Sequence, residues 1–486
     1  MVACSPSARD GAKAPSEDLA ATPTIHTRFS PQQIQIDFHL LKTALLEAHP
    51  GLYRHTPQDT FYLKLGRAIE QLNDSMTYNE FVRVVAPVLS AIGCSHTLGV
   101  HPDWYKKYRE EKMRHFPFKV AIVDGGLYIL ENYSEDTTLV PGTQIQHLNR
   151  KSFSYFRNIA YRCMSADAHI KSYKRQTLQT FFPNAYTNFV ESVDTFDLDI
   201  ILPNGQKETL VVNGLTKQEI QTIREQRYPG EIEPQNPLRL KILEDNKTAL
   251  LRIESFAKSV HEGHGQPFSL FLDSAFSAIR QQGATNLIID LRDNGGGWTG
   301  YGMELYSYLA DSGFVYMREV TARKLDDYSF DRHIVSGHGL DVDTMIFEPH
   351  PSGWKWSNYP NRGCEKVPGN NFSGNVYVLV NGRSLSCTGV FSAYARSRER
   401  ATFIGTESGG AYVGPNGAPL VIELPNTTLK VVIPVARYEL NVPGPKPGGV
   451  QPDRQGYVPH VDIDKELSRD DQELNRALKL IRSRSN

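Results

Sequence analysis

Apolar residues recur at helical spacing in the first quarter of the chain. Ile34, Phe38, Leu41 and Leu45 share one face behind Ser30-Pro31-Gln32-Gln33. There Ser caps the first turn, Pro opens it and Gln reaches back to the cap. Pro50-Gly51 should end that helix. Thr77-Tyr78-Asn79-Glu80 is a second capping box, ahead of an apolar face made by Phe81, Val84, Val85, Val88, Leu89 and Ile92. Gly93 stands where a helix C-terminus favours glycine. The pattern predicts a helical cap over residues 28–112, with His96 just past its last long helix.

From Phe116 the period changes to two. Phe118–Val123, Gly126–Leu130 and Thr143–His147 read as short strands, and Thr195–Leu202 with Glu208–Val212 as a hairpin around Pro203-Asn-Gly205. This predicts a β-rich unit over 115–215, followed by a charged, Pro-containing linker over 216–238. The remainder, 239–486, alternates strands and helices: Thr248–Ile253, Phe268–Ile279, Asn286–Leu291, Met303–Leu309, Val376–Val380 and Thr388–Arg396. Such alternation predicts a largely parallel sheet covered by helices. Residues 311–372 are polar, aromatic and weakly periodic, and read as a long insertion near the site. There are no internal repeats. The fold class is therefore α/β and multi-domain.

Composition narrows the function. The 486-residue chain is 40% hydrophobic and 22% charged, enough to bury a sizeable core. A net charge of −1 argues against nucleic-acid binding. No apolar run reaches the roughly 18 residues a membrane helix needs. The Ser/Ala/Pro-rich stretch 1–27 lacks periodicity and should be disordered. Its start, Val2-Ala3-Cys4-Ser5, resembles the end of a bacterial lipoprotein signal, in which Cys4 would carry lipid and the protein would be exported to the periplasm or cell envelope. Cys94, Cys163, Cys364 and Cys387 form no CxxC pair or metal-ligand cluster and read as isolated buried thiols.

Two turns carry the candidate chemistry. Both follow buried strands, and in open parallel sheets functional groups gather at the carboxyl ends of strands. Asp290-Leu-Arg-Asp-Asn-Gly295-Gly296-Gly297 lets the backbone approach a ligand and aim N–H groups at it, as an oxyanion hole must. It lacks the Gly-Lys-Ser/Thr and GxGxxG spacings of phosphate loops. Val380-Asn-Gly-Arg-Ser384-Leu-Ser386-Cys387-Thr388-Gly389 runs from strand to turn to helix, which exposes a hydroxyl at a helix N-terminus. Taken alone, Ser386 reads more readily as a helix cap than as a nucleophile.

Together the two segments resemble the S41 family of serine peptidases, the tail-specific or C-terminal processing proteases. NLIIDLRDNGGG (286–297) is similar to the family's hallmark strand and turn, and VYVLVNGRSLSCTG (376–389) to its nucleophile segment. Arg400-Ala-Thr-Phe-Ile-Gly-Thr-Glu407 fits the continuation, and Glu47-Ala-His-Pro-Gly-Leu-Tyr53 resembles the helical cap of bacterial members. Pro141-Gly-Thr-Gln-Ile-Gln-His-Leu-Asn149 resembles part of a divergent PDZ-like domain. The resemblance spans about 30–480. It implies a helical cap, a PDZ-like β unit and a ClpP/crotonase-like α/β catalytic domain. It also implies a peptide or protein substrate and chemistry that needs no metal or cofactor.

The family has two layouts. One pairs the serine with a lysine 25 residues on; here that position is Ala411 and no lysine is near. The other, tricorn-core-like, takes a histidine from ahead of the PDZ-like domain. Ile92-Gly-Cys-Ser95-His96-Thr97 matches it, with His96 as base and Ser95 orienting the ring. Histidine as a residue type suits this, since it titrates near neutral pH and can take the serine proton. The chain has fifteen histidines, so motif and place single out His96. The layout implies a buttressing glutamate, for which Glu439 in Val435-Ala-Arg-Tyr-Glu439 is the candidate and Asp453 the fallback. The oxyanion is assigned to the N–H groups of Gly296 and Cys387. Two rivals remain: a non-catalytic hydrophobic-ligand or peptide binder on the same fold, and thioester chemistry with Cys387 as nucleophile.

Overall fold

A computed structural model describes residues 22–229, 236–244, 247–337, 339–360, 364–444, 446–468 and 470–485. Cys4 and most of the 1–27 segment lie outside them, as do residues 230–235 of the expected linker. Residues 22–27 hold a turn in which the Thr27 N–H donates to the Thr24 carbonyl at 3.1 Å.

The cap helices are Pro31–Ala48, Gln58–Ile69, Tyr78–Ala91 and Asp103–Glu111. Both sequence-marked capping boxes are present, at Ser30/Gln33 and Thr77/Glu80. The cap does not close on itself. Ile34, Phe38, Leu41, Val85 and Leu89 share one core with Ile422, Val431, Ile433 and Val435 of a distant antiparallel sheet. That sheet has seven strands among the described residues. Its central strand, Lys430–Leu440, accepts Leu98–Val100, with Val432 opposite Leu98. The segment carrying His96 is thus held by the helix end on one side and by a ladder on the other. Buried Asp37 strengthens the joint, accepting from the backbone N–H groups of Asn426 (3.0 Å) and Thr427 (2.8 Å).

The second sheet runs Leu238–Ile242, Thr248–Ile253, Asn286–Asp290, Asn375–Val380 and Thr402–Gly405, parallel except for its first strand. Asn286–Asp290 is buried throughout because helices cover both faces. Leu287 and Ile289 face the Phe268–Gln281 helix core, and Ile288 faces Ala477 and Ile481 of the C-terminal helix. Pairing of Asn286–Asp290 with Asn375–Val380 sets their carboxyl ends side by side.

Three expectations are corrected. The stretch read as linker forms a helix, Lys217–Arg227, because Thr216 and Glu219 build a capping box at its start. The 311–372 stretch contributes Met317–Ala322 to the seven-stranded sheet, beside Lys430–Leu440. Met317 and Val320–Ala322 are buried, so the strand carries no period-two pattern to read. The β unit carries three helices between its strands, Phe153–Cys163, Lys171–Thr180 and Phe182–Phe189. No described helix is long and apolar enough to cross a membrane.

Candidate active site

The two turns interlock where their strands end. Asn294 is fully buried and stitches them: its carbonyl accepts from Leu385 N–H at 3.1 Å, and its side-chain amide donates to the Ile253 carbonyl at 3.0 Å. The Ser384 hydroxyl donates to the Leu291 carbonyl at 2.8 Å. Asn294 and Ser384 lie inside the motifs, yet no spacing rule singles out their role.

Ser386 is held at φ 54° and ψ −122°, a backbone region that costs a non-glycine residue on the order of 1–3 kcal/mol. Its carbonyl starts the Cys387–Ser397 helix by accepting from Val390 N–H at 2.9 Å. The strain turns the hydroxyl out of the helix and toward the cap. There His96 Nε2 lies 3.2 Å from Ser386 Oγ. His96 Nδ1 lies 3.2 Å from Ser95 Oγ.

Behind Ser95 stands an acid that the sequence did not point to. Asp167 Oδ1 accepts from Ser95 N–H at 2.7 Å and from the Ser95 hydroxyl at 2.8 Å. A carboxylate only accepts, so the Ser95 hydrogen points to Asp167. The Ser95 oxygen then accepts from His96 Nδ1–H, which leaves the Nε2 lone pair facing Ser386. Asp167 comes from the β unit, within a turn where Ala168 has φ 48° and Ala168 N–H donates to the Gly93 carbonyl at 2.9 Å. Gly93 has φ +73°, and a Cβ there would stand 3.0 Å from His169 Nε2 of the β unit, so the cap and β unit meet through a glycine. Asp167 sits in a run with no regular period and is far from both motifs in sequence. Only the docking of the β unit onto the cap brings it near.

The expected buttress lies elsewhere. Glu439 pairs with Arg437, two residues away on the same strand, and shares a cavity wall with it. Asp453 is taken by Arg396, at 2.9 Å, and by the Phe403 N–H, at 2.7 Å. In the ladder Glu439 stands opposite Glu319.

Gly296 also differs from expectation. Its N–H donates to its own turn, to Asn294 Oδ1 at 2.9 Å, and so is not aimed at a ligand. Its place is steric: a Cβ there would lie 2.7 Å from Ser386 Cβ and 2.8 Å from Cys387 N. Among the described residues, neither the Gly297 nor the Cys387 N–H meets an acceptor, and the latter opens a helix. The Cys387 thiol is buried and donates to the Trp298 carbonyl at 3.3 Å; burial pushes its pKa up to about 12. It stays protonated at neutral pH, which counts against a thiol nucleophile.

Cys94, His96 and Asp167 present ligand atoms within 4.8 Å of one another, the spacing a metal would use. Burial raises the Cys94 thiol to about 11, so it is a poor ligand at neutral pH, and His96 and Asp167 are joined through Ser95.

The fold is similar to that of a CPAF mutant (TM-score 0.64, 12% identity, covering 90% of this chain and 95% of that one). Mature CPAF complexed with lactacystin gives a TM-score of 0.57 at 13% identity, over 90% of this chain and 97% of that one. No curated protein sequence matches the chain. Residues 247–455 match peptidase family S41 and contain both the Gly-rich turn and the serine turn. Over that segment the chain is similar to the S41 family of peptidases.

Proposed function

We propose that this protein cleaves peptide bonds through an acyl-enzyme on Ser386, with His96 as general base and Ser95 and Asp167 as the groups that hold His96 in its accepting tautomer. The observation that carries the reading is the 3.2 Å contact between His96 Nε2 and Ser386 Oγ. A serine hydroxyl needs such a neighbour to become a nucleophile.

His96 Nε2 takes the Ser386 proton as Oγ bonds to the peptide carbonyl carbon. The oxyanion that forms accepts from Cys387 N–H and Gly297 N–H. Collapse breaks the C–N bond, and the proton held on Nε2 passes to the leaving amine. Water, deprotonated by His96 Nε2, then attacks the ester carbon; the C–Oγ bond breaks, and the proton returns from Nε2 to Ser386 Oγ. The β unit has a second, PDZ-like role in this reading: an extended peptide adds to its sheet edge. The Val2-Ala3-Cys4-Ser5 start supports a place at the cell envelope, with Cys4 as the lipid-bearing residue.

A fluorophosphonate probe tests the assignment. Labelling should occur in the native chain, vanish in Ser386→Ala, fall steeply in His96→Ala and persist in Cys387→Ser. Absence of labelling in folded native protein, or labelling that survives Ser386→Ala, would overturn it.

A further inference from the structure

A cavity of about 490 Å³ opens beside the relay. That lies within the range of ligand pockets, about 300–1,000 Å³. Its wall includes Ala168, next in sequence to Asp167, and Ala411, next to Gly410, which packs on Gly389 of the nucleophile helix. The cavity therefore begins one residue from the relay on one side and one residue from the serine helix's support on the other.

Its charge is one-sided. Arg54, Arg318, Arg437 and Lys446 line it, and Glu439 is the one carboxylate among the described lining residues. Glu439 meets Arg437 through a single guanidinium nitrogen, Nη2. The Nε of Arg437 is buried and has no partner among the described residues. Arg54 is held by neutral groups, the carbonyls of Gly414 (2.9 Å) and Val413 (3.3 Å). The Lys446 ammonium sits 4.9 Å from the Tyr412 ring centre. Burial, with the charge of Arg437 added, pulls Arg54 down to about 10, and burial with the charge of Arg54 pulls His55 down to about 4. Both shifts mark a desolvated, positive wall. A desolvated wall with four cations and one carboxylate favours a second carboxylate beside it.

We infer that this cavity is a specificity subsite that takes a carboxylate of the peptide substrate and seats it between Arg437, Arg54 and Lys446. The inference rests on the peptidase reading and names its substrate class, peptides with an acid close to the scissile bond. The carboxylate is that of an Asp or Glu side chain, and the test sets it against a free C-terminus.

Matched fluorogenic peptides separate the cases. One set replaces Glu by Gln at each position around the cleaved bond; a second compares free with amidated C-termini. In the native chain one acidic peptide should exceed its neutral partner by about 10- to 100-fold in kcat/KM, the worth of one charge-assisted hydrogen bond, and a preference confined to the free C-terminus overturns the assignment. Arg437→Gln should shrink that ratio to within about 3-fold while fluorophosphonate labelling of Ser386 persists, and Arg437→Lys should restore part of it. Lys446→Gln, at an exposed position, should lower the ratio without disturbing the fold. Equal cleavage of every acid–neutral pair by a chain that still labels overturns the subsite and leaves the peptidase reading intact. If the folded native chain neither labels nor cleaves, the peptidase reading fails. The subsite is then judged by anisotropy, with labelled acidic and neutral peptides bound to Ser386→Ala: tighter binding of the acid sustains it, and equal binding overturns it.

Discussion

Replacing Asp167 by Asn tests the relay at the member the sequence did not reveal. The change keeps shape and keeps an oxygen to accept from Ser95, but removes the charge. His96 and Asp167 present ring nitrogen and carboxylate oxygen within 4.8 Å. At an effective dielectric of about 20, two unit charges at that separation attract by about 3.5 kcal/mol. His96 is part-exposed, so screening trims this to roughly 2–3 kcal/mol. That attraction exists only once His96 carries the serine proton, so its loss falls on the transition state. Asp167→Asn should lower kcat by about 30- to 150-fold with KM little changed. Asp167→Ala should cost more, because the Ser95 hydroxyl then loses its acceptor and can turn its hydrogen to His96 Nδ1. Steady-state hydrolysis of a fluorogenic peptide, with circular dichroism to check folding, reads the effect. In a Ser95→Ala background the same change should still lower kcat, since the attraction acts through space, while the part that fixes the ring's tautomer is already lost. A folded Asp167→Asn enzyme within about 3-fold of native kcat would refute the relay, and a large loss in Glu439→Gln beside it would return the role to Glu439.

Further outcomes follow from the same geometry. Gly296→Ala places a Cβ 2.7 Å from Ser386 Cβ at φ +96°, so labelling should drop by at least about 100-fold even where the protein stays folded; native-like labelling would show that the turn can yield. Burial lowers His49 to about 3 and His55 and His101 to about 4, so each stays neutral in the fold and is protonated first when unfolded. Their contribution is present above about pH 6.5 and is lost as pH falls toward 4, at about 1.4 kcal/mol per pH unit for each group. Urea midpoints should therefore fall between pH 7 and pH 5, less so in His49→Gln; a flat profile would contradict it. Arg292 bonds Asp290 and Asp471 at 2.7 Å and Glu473 at 3.1 Å, tying the C-terminal helix to the catalytic strand. Arg292→Ala takes this partner from Asp471 and Glu473, while Asp290 keeps Arg252 at 2.7 Å, and should cost about 1–3 kcal/mol by urea unfolding.

Local order was legible where neighbours in sequence supply it. The capping boxes at Ser30 and Thr77, the buried strands before the two turns and the strand–turn–helix around Ser386 all follow from residues a few positions apart. The pairing of Ser386 with His96 came instead as a candidate from the family resemblance, which matched a motif around each. The helix at Lys217–Arg227 was marked by its own capping box, but its charge and a nearby proline hid it.

What only the tertiary structure decided are the relations between segments. Asp167 bears on His96 because the β unit docks on the cap through Gly93, and no period in its own stretch records that contact. Glu439 is drawn to Arg437 because a ladder register, fixed by which face is buried, sets where it stands. The Gly296 N–H turns inward because Asn294 folds back to receive it. A sequence states which groups are available; hydrogen-bond partners are chosen by distance, and distance across this fold is set by the packing of the cap and β unit against the catalytic sheets.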